Sequence, residues 1–146
     1  MARTMSNDIE IIGVKELEKF LKDMPDMAEN ELDTLFFDMA NFTHERSVSN
    51  IQGGSRSGRV YKRGRKSHQA SAEGEWPKSD TGTLVRSITI EKAGKADYTV
   101  GSRSMGGKGG APYGFWLEFG TRNMGKRPWL SRAFDLTLTK FRGKFK

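Results

Sequence analysis

Residues 53–68 read GGSRSGRVYKRGRKSH, and thirteen of these sixteen are glycine, serine, arginine or lysine. No hydrophobic core can be built from such a run: it removes almost no apolar surface from water, while ordering its backbone costs roughly 1–2 kcal/mol per residue. What folds must fold on either side of it. Polar character continues to Ser79, broken only by Trp76-Pro77, so residues 53–80 read as one long flexible basic loop. A loop of that length inside a compact domain is functional or disordered, or it links a helical half to a sheet half.

The two flanks differ in charge. Residues 1–50 hold 5 Lys/Arg against 11 Asp/Glu, a balance of −6, and residues 51–146 hold 20 against 7, a balance of +13. That asymmetry suits association of unlike faces or contact with a polyanion. With 146 residues and 35% hydrophobic content, a single domain (1–146) with one modest core is expected. Cysteine is absent, which excludes disulfides, thiolate nucleophiles and cysteine-ligated metals, and the two histidines, His44 and His68, lack zinc-site spacing. No run reaches the roughly 18 apolar residues of a membrane span. Residues 1–10 lack the apolar centre of a signal peptide. A soluble protein without a membrane partner, kept in the cytoplasm as it is made, is the expectation.

Val14, Leu17, Leu21 and Met24 recur at i, i+3, i+7 and i+10, on one face of a helix that Pro25 ends. Asp26 reads as the N-cap of a second helix, with Glu29 completing a capping box. Its apolar stripe is Ala28, Leu32, Leu35, Phe36, Met39, Ala40 and Thr43. These make a helical part over residues 14–50, preceded by an arm, 1–13, whose Ile9, Ile11 and Ile12 suit an edge strand. Glu29, Glu31, Asp33 and Asp38 fall mostly off the stripe and read as a solvated helix face. His44 reads as a helix-end histidine and His68 as an exposed one.

Beyond the loop, Thr81-Gly82 reads as a turn, residues 84–91 (LVRSITIE) as a half-buried strand, and Tyr98-Thr99-Val100 as its return past a turn at Gly94. Residues 101–110 contain five glycines and read as a flexible tip. The most apolar window, YGFWLEF at 113–119, has two readings. As a strand it puts Tyr113, Phe115, Leu117 and Phe119 on one face; as a helical turn it clusters Phe115, Trp116 and Phe119. Gly120-Thr121 stops it. Pro128 suits the first turn of a last helix with Leu130, Phe134, Leu138 and Phe141 on one face, and the tail from Arg142 reads as frayed. The fold class expected is α+β: two N-terminal helices, a small antiparallel sheet with a long basic loop, and a C-terminal helix packed on that sheet, the last two within residues 84–141.

Arg56, Arg59, Lys62, Arg63, Arg65 and Lys66 can neutralise phosphates while Tyr61 stacks on a base, which would be nucleic-acid binding through residues 53–66. The same set equally suits an acidic protein surface. Catalysis needs convergent groups of tuned pKa, and none is evident. Glu118, the one carboxylate in the aromatic window, reads as an ion-pair partner of Arg122 or Arg127. There is no P-loop pattern. No catalytic, metal or cofactor residues are expected, and a nuclease or toxin lacks its acid and base.

Two stretches carry a more specific resemblance. Gly74, Glu75 and Pro77, then Thr81, Gly82, Leu84, Ser87 and Ile88, form one pattern; Tyr113, Leu117, Glu118, Phe119, Gly120 and Thr121, then Arg127, Pro128, Trp129, Leu130 and Ala133, form the second. Spaced in this order, with Gly114 where alanine is usual, they resemble a tail-component family of long-tailed bacteriophages, also described as tail-completion or neck proteins. The resemblance implies a structural protein of the head–tail junction or tail end, a ring subunit in virion assembly with no enzymatic activity. The partners it implies are further copies of the chain, neighbouring neck or tail proteins, and non-specific contact with packaged DNA. The location implied is the virion, and the host cytoplasm during assembly. The matched positions read as structural: Gly82 and Gly120 free the backbone at turns, Pro128 starts a helix, and Trp129, Leu130 and Phe134 plug it onto the sheet.

Overall fold

The computed structural model describes residues 14–22, 29–103, 105–106 and 111–145. The edge strand proposed for residues 9–12, the stop at Pro25, the Asp26 cap and the glycines at 107–110 lie outside them. The fold is α+β. Helix α1 (Val14–Lys22) is followed by the long α2 (Glu29–Gln52), then by a hairpin of β1 (Val60–Arg63) and β2 (Lys66–Gln69). A single helical turn, α3 (Thr83–Ser87), leads into a second hairpin, β3 (Ile88–Gly94) and β4 (Asp97–Ser102). Two-residue strands β5 (Met105–Gly106) and β6 (Ala111–Pro112) precede α4 (Tyr113–Phe119), α5 (Leu130–Phe141) and a 3₁₀ turn, Arg142–Phe145. Each strand pair is its own antiparallel ladder, β1–β2, β3–β4 and β5–β6.

Helix α2 is the spine. It buries Leu35, Met39, Thr43, Ser47 and Ile51, a row of positions four apart, with Ala40 beside them. Such a row forms a ridge for a neighbouring helix. That neighbour is α5, where Ala133 and Thr137 are fully buried. Because Ala40, Ser47 and Ala133 are small, the two helices approach closely, and the hydroxyls of Thr43 and Thr137 hydrogen-bond across the seam at 2.6 Å. At one end Leu35, Met39 and Phe141 cluster with Phe36, Phe42 and Phe145 around them. At the other, Ile51, Leu84, Ile88, Leu117, Trp129 and Leu130 form the principal core, covered by Val48, Trp76, Val85, Val100 and Met124. A second flank of α2 carries β3 and β4.

Several expectations are corrected. The C-terminal helix packs along α2 rather than on the sheet; only its start, Trp129 and Leu130, joins Ile88 in the core. Residues 84–119 do not form one sheet, because 84–87 belong to α3 and 113–119 to α4. Leu84 and Ile88 are four apart, a spacing that shares a face in strand and helix alike, so periodicity does not separate the two geometries there. The turn between β3 and β4 lies at Lys95-Ala96, one step past Gly94, with a register irregularity between Lys92 and Gly94. The basic loop contains a hairpin, in register Val60↔Gln69 to Arg63↔Lys66. Its two-residue turn has Gly64 at φ 59° in the first central position, as a tight hairpin turn requires.

The solvated-face reading of the acidic residues also fails at Asp33, which is half-buried, while Glu29 stays exposed. Asp33 accepts hydrogen bonds from the Ala96 N–H at 2.8 Å and the Lys92 ammonium at 2.7 Å, and Glu29 pairs with Lys95. The Lys92 bond first, then the Ala96 N–H, holds the Asp33 carboxyl below its ordinary range. Helix α2 therefore grips the β3–β4 turn. His44 is no helix-end residue: it sits inside α2 with Nε2 3.2 Å from the Ile88 carbonyl oxygen.

Candidate functional site

Residues of the second signature stretch assemble where α4 meets α5. Glu118 does not pair with Arg122 or Arg127 as expected. Its carboxylate accepts three backbone N–H groups, from Trp129 at 2.7 Å, Leu130 at 2.9 Å and Ser131 at 3.1 Å. These are donors that the first turn of α5 cannot satisfy itself, and a negative charge there complements the helix dipole. Trp129, at the N-cap position, is 2% exposed and donates its indole N–H to the Gly114 carbonyl at 2.9 Å. Pro128 stands just before that cap, not within the first turn as expected.

Gly120 closes α4, its N–H reaching the Trp116 carbonyl at 2.8 Å, with φ at 76° in the left-handed region. A Cβ there would stand 3.0 Å from both Lys126 N and Met124 O. Thr121 exchanges backbone hydrogen bonds with Met124. Gly82, also at φ 76°, precedes α3, whose Leu84 is buried in the core. Arg127 ties this region to the excursion between α2 and α3: its N–H meets the Leu117 carbonyl at 2.6 Å and its Nε donates to the Ser71 carbonyl at 2.9 Å.

That excursion is closed at its base. The Ser79 N–H and Lys78 ammonium donate to the Ile51 and Gln52 carbonyls at the end of α2, at 3.2 and 2.7 Å. Glu75 accepts the hydroxyls of Ser55 and Ser57 and the Ala72 N–H, and these bonds hold its carboxyl below the usual range. Above this base the β1–β2 arm displays Arg56, Arg59, Lys62, Arg63, Arg65 and Lys66, all exposed, with Val60 and Tyr61 exposed among them. Asp80 steadies the arm through Arg63, at 3.0 Å, and lies 3.5 Å from His68, which is half-buried rather than exposed.

Helix α4 settles its two readings in favour of the helical one, and its outer face is aromatic. Tyr113 is 41% exposed, Phe115 44%, Trp116 38% and Phe119 57%, while Gly114 and Leu117 face the core. Phe115 and Phe119 stack at 4.8 Å between ring centroids. Partial desolvation pushes the Tyr113 phenol up from its ordinary value. Four large aromatics on seven residues thus face solvent from a helix whose inner face is anchored in the core. Sequence reasoning found Phe115, Trp116 and Phe119 as a cluster in the helical reading and took Tyr113 and Phe119 as structural signature positions; their exposure depends on which side α5 and α3 occupy.

One groove, of about 410 Å³, runs between Asn30, Glu31, Leu35, Asp38 and Lys144. A cleft of about 150 Å³ lies between Arg63, Asp80, Thr81 and Tyr113. Among the described residues no group of three or more His, Asp or Glu side chains could hold a metal ion, and no helix is long and apolar enough to cross a membrane.

A family model described as "HK97-gp10_like: Bacteriophage HK97-gp10, putative tail-component" matches residues 15–120. No curated protein and no solved structure matches the chain.

Proposed function

Because the chain belongs to the HK97-gp10-like family of bacteriophage tail components, matched over residues 15–120, we propose that it is a structural subunit of the head–tail junction or tail end. In this reading it forms an oligomeric ring, completes the tail or neck during virion assembly, and catalyses no reaction. The observation that carries the proposal is the exposed aromatic face of α4, Phe115, Trp116 and Phe119, set beside the fixed start of α5. A surface of that kind is tolerated on a protein that spends its working life covered by neighbours.

Deleting the gene tests this. Electron microscopy of lysates is expected to show filled or leaking heads and separate tails, or joined particles with a defective neck, and infectivity should be lost. Infectious particles from the deletion strain would sink the proposal, and empty unpackaged heads would move the role upstream to the capsid or portal. A second reading, nucleic-acid binding through residues 53–66, is favoured by the six exposed cations beside Tyr61. It predicts submicromolar DNA affinity at physiological salt; under the first reading any DNA contact is weak, sequence-independent and abolished by moderate salt.

A further inference from the structure

The charge division of the chain gains a geometry in the fold. Glu31, Asp38 and Glu45 lie seven residues apart on α2, so they share one face and span about 21 Å along it. All three are exposed, and among the described residues none forms an ion pair. They occupy neither flank already in use: Glu29 and Asp33 hold the β3–β4 turn, and the buried ridge faces α5. The groove of about 410 Å³ opens beside Glu31 and Asp38, with buried Leu35 among its lining residues.

The β1–β2 arm has the complementary chemistry. Among the described residues its ladder pairs with no other strand, every β1 side chain is exposed, and α2 packs chiefly on α5, β3, β4 and α3 rather than on this arm. From Arg59 to the Gly64 turn the arm spans about 17 Å, close to the length of the acidic row. Arg56, Lys62, Arg65 and Lys66 form no ion pair among the described residues, and Val60 and Tyr61 add apolar surface that suits the Leu35 groove.

Resting on the ring reading above, we infer that the β1–β2 arm of one copy lies along the Glu31–Asp38–Glu45 face of α2 in a second copy. The contact is heterologous: each chain offers an arm on one side and an acidic helix face on the other, the arrangement that closes into a ring when the rotation permits. Opposite charge sets orientation and register, and salt weakens the contact.

Two measurements on assembled particles test it. Since the chain has no cysteine, particles carrying Asp38→Cys together with Lys62→Cys should yield a ladder of multimers with a bismaleimide crosslinker, and either substitution alone should not. The triple variants Glu31→Lys/Asp38→Lys/Glu45→Lys and Arg59→Glu/Lys62→Glu/Arg65→Glu, each first shown to melt like the parent, should enter particles at least tenfold less well. Expressed together they should recover, because each then supplies what the other lacks. Unchanged incorporation of both triples, or absence of the ladder from infectious particles, overturns the inference and leaves the tail role standing. Loss of DNA retention by the arm variant with normal incorporation would make the arm a DNA-contacting element and overturn it too. Absence of the parent protein from particles would instead overturn the tail role and this inference together.

Discussion

Glu118 fixes the start of α5 by accepting three backbone N–H groups. Glu118→Ala strands those donors in a half-buried position, and a loss of about 1–3 kcal/mol in urea unfolding is expected. An unchanged midpoint would mean that water or a neighbouring side chain replaces the carboxylate at no penalty. Trp129→Ala removes an almost fully buried aromatic and should cost about 3–5 kcal/mol. If that variant melts like the parent yet fails to assemble, Trp129 serves an interface and not the core. Gly120→Ala meets both a left-handed backbone and atoms 3.0 Å away, so a loss above about 1 kcal/mol is expected; Gly143→Ala, with open space around it, is the control. Glu118 stood out in the sequence as the lone acid among aromatics, but its partners did not. Backbone donors leave no mark in a sequence, whereas nearby arginines do.

The contact between α2 and the β3–β4 turn is the element whose strength depends most visibly on pH. Asp33 is held below its ordinary value by Lys92 and the Ala96 N–H, and Lys92 is raised, chiefly by Asp33. A carboxyl with a lowered folded-state pKa stabilises fully above its unfolded value, about 4, and that contribution disappears as pH falls through the folded value. The raised ammonium behaves in the opposite sense, its contribution lasting until pH rises through the folded Lys92 value, above about 10. Melting temperatures of the parent and Asp33→Asn should therefore differ between about pH 5 and 10 and converge in strong acid. A gap that persists unchanged to about pH 2 would rule out Asp33 ionisation as its source. Helix α2 was legible because Leu35, Met39 and Thr43 repeat with helical spacing. The β1–β2 arm was not, since a ladder with every β1 side chain exposed has no apolar alternation to read. What orders it lies outside it: Asp80, Glu75 and the end of α2.

At the scale of the whole molecule, sequence reasoning reached the α+β class, the helical N-terminal part and the division of charge. The packing of α5 along α2 escaped it, because the apolar face proposed for α5, Leu130, Phe134, Leu138 and Phe141, implies a broad hydrophobic contact. The middle of the seam is built instead on small buried residues, Ala133 and Thr137 on α5 and Ala40 and Ser47 on α2, which carry little hydrophobic signal, while Leu130 and Phe141 of the proposed face are buried at its two ends. With α5 there and Leu117 turned into the core, Phe115, Trp116 and Phe119 are left outside, and the account rests on their being covered in the virion. The most direct measurement is complementation of a deletion strain with Phe115→Ser/Trp116→Ser/Phe119→Ser, followed by mass spectrometry of purified particles. The account predicts a variant that folds with the parent's melting temperature, is missing from particles and restores no infectivity. A folded variant found at parental abundance in infectious particles would contradict it.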